Sequence, residues 1–196
     1  MDNIDKINSL KKELGYIKNV DYVEDFKKLI ELLPDYFFEV AASSTGKYHP
    51  SFSLGDGGLL RHTKVAVRIA YELLSNPCIG DKYTEREKDL MLIALTMHDG
   101  LKHGEPKETY TRADHPLLIS KKIKDNKDIL KMNDDDILFI CEVIDSHMGP
   151  WNTHPYTKEE ILPIPKNKFQ NFVHMCDYLS SRKFLDVKFD SNEIIE

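Results

Sequence analysis

Apolar positions recur at helical spacing along most of the chain, and they set the expected elements. Over residues 3–14 and 22–33 they fall three and four apart, which predicts two amphipathic helices, the second closed by Pro34. A short helix is expected at 35–42. The pattern then breaks over "SSTGKYHPSFSLGDGG" (43–58), a Ser-, Gly- and Pro-rich loop of a length often kept for function in compact domains. Helical spacing resumes at about 58–75. It returns from Thr84 to His98, where Thr84 as N-cap and Glu87 three residues on form a capping box. Residues 100–112 are polar and irregular. Asp114 is placed to cap a helix from 115 to about 124, with Pro116 in its first turn. Asn133 or Asp134 opens the next helix, which runs to about Ser146. The loop 148–166 holds four of the nine prolines, and a last long helix is predicted over 167–186. No segment alternates convincingly as a strand and no repeat is present. The expected fold is all-α, with residues 51–190 forming the main domain and residues 1–50 capping it or supplying a dimer surface.

Composition changes this picture little. The chain has 196 residues, enough for one domain with a real core, and is 41% hydrophobic and 31% charged with a net charge of -6. Acidic and basic residues are interspersed, so a long nucleic-acid duplex is not the expected ligand, while short or single-stranded substrates stay open. The three cysteines, Cys78, Cys141 and Cys176, lack zinc-type spacing and read as buried thiols in a reducing compartment. No apolar signal core opens the chain and no run approaches membrane-spanning length. A cytoplasmic protein without membrane contact is expected. "STGK" (44–47) lacks the first glycine of a phosphate-binding P-loop and the Ser/Thr after its lysine, and is rejected as one.

The candidate chemistry lies in "LIALTMHDGLKHGEPKETY" (92–110). His98 and Asp99 end a run that otherwise reads as protein interior, where a charge is costly unless paired. Other polar residues share that character. His62 falls on one face with Ala66, Ile69 and Leu73, His115 in the first turn of its helix, His147 at the end of another, and Asp177 on the stripe of Val173 and Cys176. Any one of these histidines alone is better read as a hydrogen-bonded core residue, and Asp177 alone as a partner of Arg182. Together they are a large excess of buried imidazole and carboxylate, the ligand types that suit divalent ions such as zinc, iron or manganese. One aspartate can bridge two such ions, and an ion pair activates water for phosphoryl displacement. His49, His103 and His154 sit in polar loops and read as surface residues. His174, one turn before Asp177, reads as a group that orients it.

The order His62, His98-Asp99, His115, His147, Asp177 resembles the H…HD…H…H…D pattern of the HD-domain superfamily. "GGLLRHT" (57–63), "HDGLK" (98–102), "DSHMGPW" (145–151) and "CDYLSSR" (176–182) look like its blocks, and the resemblance covers about 55–185. It implies an all-helical metal-dependent hydrolase of nucleotide phosphate esters, holding one or two ions (Mn, Fe, Zn, Ni, Co or Mg). By the same resemblance His62, His98, Asp99 and Asp177 hold one metal, and Asp99 bridges to a second on His115 and His147. "GGLLRHT" and the single-histidine fifth block are similar to the HD domain of bacterial 3′–5′ exoribonucleases. Those carry an OB module, for which this chain shows no strand-rich segment. The Gly-Tyr-Pro block of the cyclic-dinucleotide phosphodiesterases is also missing.

Lys102, three residues after Asp99, resembles the family lysine that reaches a substrate phosphate, and would neutralise charge there alongside catalytic Asp99. Arg61, Arg182 and Lys47 are lesser candidates for that task. Trp151 and Tyr156 are placed to stack on a base or to pack their own loop. The expected activity is phosphohydrolysis of a nucleotide or short single-stranded nucleic acid, with homo-oligomerisation left open. The same ligand set with its lysine also resembles the mixed-valence di-iron oxygenases, which act on small polar substrates. A non-enzymatic metal-binding module is a third reading, which the lysine disfavours.

Overall fold

The computed structural model describes residues 1–43, 45–47 and 49–195. Among these it is mostly helical, with nine α-helices and one short hairpin. The helices are α1 (Asn3–Ser9), α2 (Lys11–Leu14), α3 (Val20–Glu31), α4 (Gly58–Ser75), α5 (Pro77–Gly80), α6 (Glu85–Met97), α7 (His115–Asp125), α8 (Asp134–Asp145) and α9 (Lys168–Ser180). None is long and apolar enough to cross a membrane.

α6 is the central element. Every residue from Asp89 to Met97 is buried, as expected for a helix that is apolar on all sides. It opens with the anticipated capping box of Thr84 and Glu87. α4 packs on α6 and α9, and α8 packs on α6, α7 and α9. The N-terminal segment is stitched to this bundle through buried carboxylates that accept backbone donors. Asp89 accepts from the amides of Lys18 and Asn19 at 3.0 and 2.9 Å, and Asp25 from those of Lys131 and Met132 at 2.7 Å each. Tyr22 donates its hydroxyl to Asp136 at 2.8 Å.

Several boundaries differ from the sequence expectation. The helix expected at 3–14 breaks at Leu10, whose φ of -121° leaves the helical region. α3 starts two residues early because the Asn19 side chain caps it, and the 35–42 helix shrinks to a 3₁₀ turn at Asp35–Phe38. α5, capped by Asn76, was not anticipated. Asp114 does not cap α7, because Arg112 holds its carboxylate at 2.9 and 2.8 Å. Asn133 rather than Asp134 caps α8.

The last helix stops at Ser180, not near 186. The hydroxyls of Ser180 and Ser181 turn back onto the carbonyls of Asp177 and Tyr178 at 2.7 Å each, offering the backbone a way out of the helix. The chain then forms an unexpected antiparallel hairpin, β1 (Phe189–Asp190) with β2 (Glu193–Ile194). The hairpin is pinned to α4: Asn192 accepts from Arg61 at 2.8 Å, and Glu193 pairs with the fully buried Lys64. Cys141 and Cys176 are buried thiols as expected, but Cys78 is exposed.

Candidate metal centre

Five helices deliver the six expected side chains to one place. His62 comes from the second turn of α4, His98 and Asp99 directly follow α6, His115 starts α7, His147 follows α8, and Asp177 lies in the last turn of α9. The four histidines and Asp99 are at most 2% exposed.

The two oxygens of Asp99 face different neighbours. Oδ2 lies 3.8 Å from His62 Nε2 and 3.4 Å from His98 Nε2. Asp177 Oδ1 closes that group, 3.0 Å from His62 Nε2 and 3.4 Å from His98 Nε2. Oδ1 of Asp99 instead faces His115 Nε2 at 2.9 Å and His147 Nε2 at 3.8 Å. Two triads, His62–His98–Asp177 and His98–Asp99–His147, bring their ligand atoms within 4.8 Å of one another.

The second nitrogen of each ring explains why Nε2 points inward. Nδ1 of His98, His115 and His147 meets the carbonyls of Leu95, Arg112 and Ile144 at 2.5, 2.7 and 2.8 Å. A carbonyl only accepts, so each Nδ1 carries the proton. His62 Nδ1 meets Ser180 Oγ at 3.1 Å, and the Ser180 proton is already given to the Asp177 carbonyl, so this Nδ1 donates as well. In the neutral form of each ring the bare lone pair is then on Nε2, the nitrogen aimed into the cluster. His98 Nε2, His115 Nε2 and Asp99 Oδ1 are buried with no hydrogen-bond partner among the described residues. Such groups are costly unless a cation lies between them, and imidazole with carboxylate is a donor set for a first-row dication. The residues therefore fit a divalent ion.

The charge balance agrees. Burial works against charge on Asp99, but Lys102 and His98 hold its carboxyl well below the ordinary range. Asp177 is held down likewise, burial being outweighed by His98 and His62. Burial also opposes charge on His98, yet the two carboxylates lift it to about 10. Burial together with His98 pushes His147 down to about 3. The metal-free cluster thus keeps its anionic carboxylates and recruits a proton on His98, one a dication would expel.

A cavity of about 650 Å³ opens over the cluster. His62, Asp99, His147 and Asp177 face it, while His98 and His115 lie beneath. Lys102 lines it with Nζ 2.5 Å from Asp99 Oδ2. Trp151 and Arg182 form part of the outer wall around Tyr178: the indole stacks at 5.7 Å and 14°, and the guanidinium carbon sits 4.2 Å from the ring centre.

Other expected site residues lie elsewhere. Arg61 is spent on the carbonyls of Phe52 and Leu54 and on Asn192, away from the cavity. Lys47 is exposed outside the cavity walls, and Tyr156, 88% exposed, lies beside the His154 ring. Asp177 is partnered by His62 and His98, not by Arg182. His174 does not orient Asp177; its Nδ1 meets the His147 carbonyl at 2.7 Å.

Two histidines expected on the surface are not there. His103 is 6% exposed, with Nδ1 3.1 Å from the Glu108 carbonyl. His49 is part of the cavity wall, its ring 5.5 Å from that of His62. No spacing in the sequence separates His49 from the loop histidine His154, since its place depends on how the loop folds back over α4.

The chain matches no family model, no curated protein and no solved structure.

The turn that carries His147 toward the site depends on Gly149. Its φ is +59°, and a Cβ there would lie 2.3 Å from His174. Gly149→Ala is expected to lower stability by about 2 kcal/mol, from left-handed strain and the clash. An unchanged midpoint in urea would show that the turn adapts freely.

Proposed function

We propose that this protein is a metal-dependent phosphohydrolase of the HD kind, cutting a phosphate ester in a nucleotide or short single-stranded nucleic acid. The observation that carries the reading is the division of the Asp99 carboxylate, one oxygen toward His62 and His98, the other toward His115 and His147. A carboxylate divided in this way would be shared if two ions were held, one by each group of histidines. When bound, such ions supply Lewis acidity and lower the pKa of water toward neutrality. The chain's own residues do the rest. The Nδ1 contacts fix the tautomer and angle of each ring. Lys102 brings a cation to the cavity floor, where it can neutralise charge developing on phosphoryl oxygens. Trp151, 54% exposed, offers an open aromatic surface on which a base can stack.

The test is elemental analysis of the purified protein joined to a screen of nucleotide and phosphodiester substrates. One to two equivalents of divalent metal with ester cleavage support the proposal. Iron with turnover only in the presence of oxygen would replace it with the di-iron oxygenase reading.

A finer test separates the two ions. His115→Ala or His147→Ala is expected to cost about one equivalent of metal and at least a hundredfold in turnover, leaving the ion at His62, His98 and Asp177 in place. Complete metal loss from either variant would mean a single site built differently.

A further inference from the structure

His49 reaches the cavity from the loop before α4, on a segment that supplies none of the proposed ligands. Its ring packs against His62 at 5.5 Å, and it lines the cavity together with Asp99, Lys102 and Asp177. Its Nδ1 is buried and finds no hydrogen-bond partner among the described residues. A half-buried imidazole on the cavity wall, with a buried nitrogen that the described residues leave unanswered, is a polar group whose other ring nitrogen is left for a ligand. The ring is displaced from the six-residue cluster, whose Nε2 atoms converge on Asp99 and Asp177, and it belongs to neither metal triad. Lys102 stands at the floor of the same cavity. The two side chains offer an N–H and an ammonium to one bound anion.

Resting on the hydrolase reading above, we propose that His49 contacts the substrate directly, as a hydrogen-bond donor that shares the oxygens of the phosphoryl group with Lys102. No proton is transferred in this role; the imidazole orients the group and answers its charge. The ligand class is a phosphate ester or free phosphate.

The test uses the metal-loaded full chain, with inorganic phosphate as the probe in calorimetry and bis(p-nitrophenyl) phosphate for turnover. His49→Ala should keep wild-type metal content and melting temperature. It should bind phosphate about tenfold more weakly and lose at least about tenfold in kcat/KM, the scale of one hydrogen bond to a charged group. His49→Gln, whose amide still donates, should recover most of both. Wild-type phosphate affinity in His49→Ala would overturn the assignment, and loss of metal in that variant would overturn it by making His49 a ligand. A wild-type protein that holds its ions but neither binds phosphate nor cleaves the ester removes the hydrolase reading and this role with it. Phosphate binding by wild type with an indifferent His49→Ala removes this role alone.

Discussion

Asp99→Ala is expected to purify with little or no divalent metal and with turnover at background. Each of the two proposed ion positions draws on one oxygen of this carboxylate, so truncation removes a ligand from both at once. The loss extends to stability. Metal at a thousandfold excess over its Kd stabilises a folded protein by about 4 kcal/mol. For a chain of this size that is a rise of roughly 10 °C in Tm. Wild-type protein should show that rise on adding metal, and Asp99→Ala should not. The metal-free variant also leaves Lys102 without its partner carboxylate and His98 with Asp177 alone, so its own Tm should not exceed that of metal-free wild type. Full metal content in Asp99→Ala would defeat the shared-carboxylate assignment.

Lys102→Ala should separate chemistry from metal binding. A protonated lysine has no lone pair for a dication, and its Nζ approaches Asp99 from the cavity side with only 11% of its side chain exposed. A positive charge aimed at a reacting phosphoryl group contributes about 3 kcal/mol to the transition state, roughly a hundredfold in rate. Metal-loaded Lys102→Ala should therefore keep its ions and its Tm and lose about that much kcat/KM. Lys102→Met, which keeps the stem and its packing, should behave alike. Turnover at the wild-type rate in either variant would reduce Lys102 to a counter-ion of Asp99.

The six clustered residues were legible because each sits on an apolar helix face or at a core-helix end, where a polar side chain stands out against its neighbours. Thr84 with Glu87 was legible because a capping box is local chemistry between residues three apart. What stayed hidden depends on distant partners. Asp114 has the right type and place for an N-cap, but Arg112 wins its carboxylate. Arg61 looked like a phosphate ligand until the loop carbonyls of Phe52 and Leu54 and the hairpin residue Asn192 took up its donors. The hairpin at 189–194 is too short to show a period of two. Its hold on the bundle comes from Lys64 and Glu193, far apart in the chain. His49 and His103 read as surface residues for the same reason: a polar loop says nothing about whether it lies over a helix bundle or in solvent. His174 was placed beside Asp177 by helical spacing, whereas its hydrogen bond crosses to the turn after α8.

The six clustered side chains run from His62 to Asp177, the last from the final helix of the bundle. No shorter stretch of polypeptide contains the set, and no pair of adjacent helices assembles it. A nascent chain on the ribosome therefore cannot bring the six together until α9 has emerged and docked against α4, by which time the remaining helices have been free to fold. A product truncated before Asp177 would lack the α9 carboxylate that meets His62 and His98, and with it the group that closes that side of the cluster.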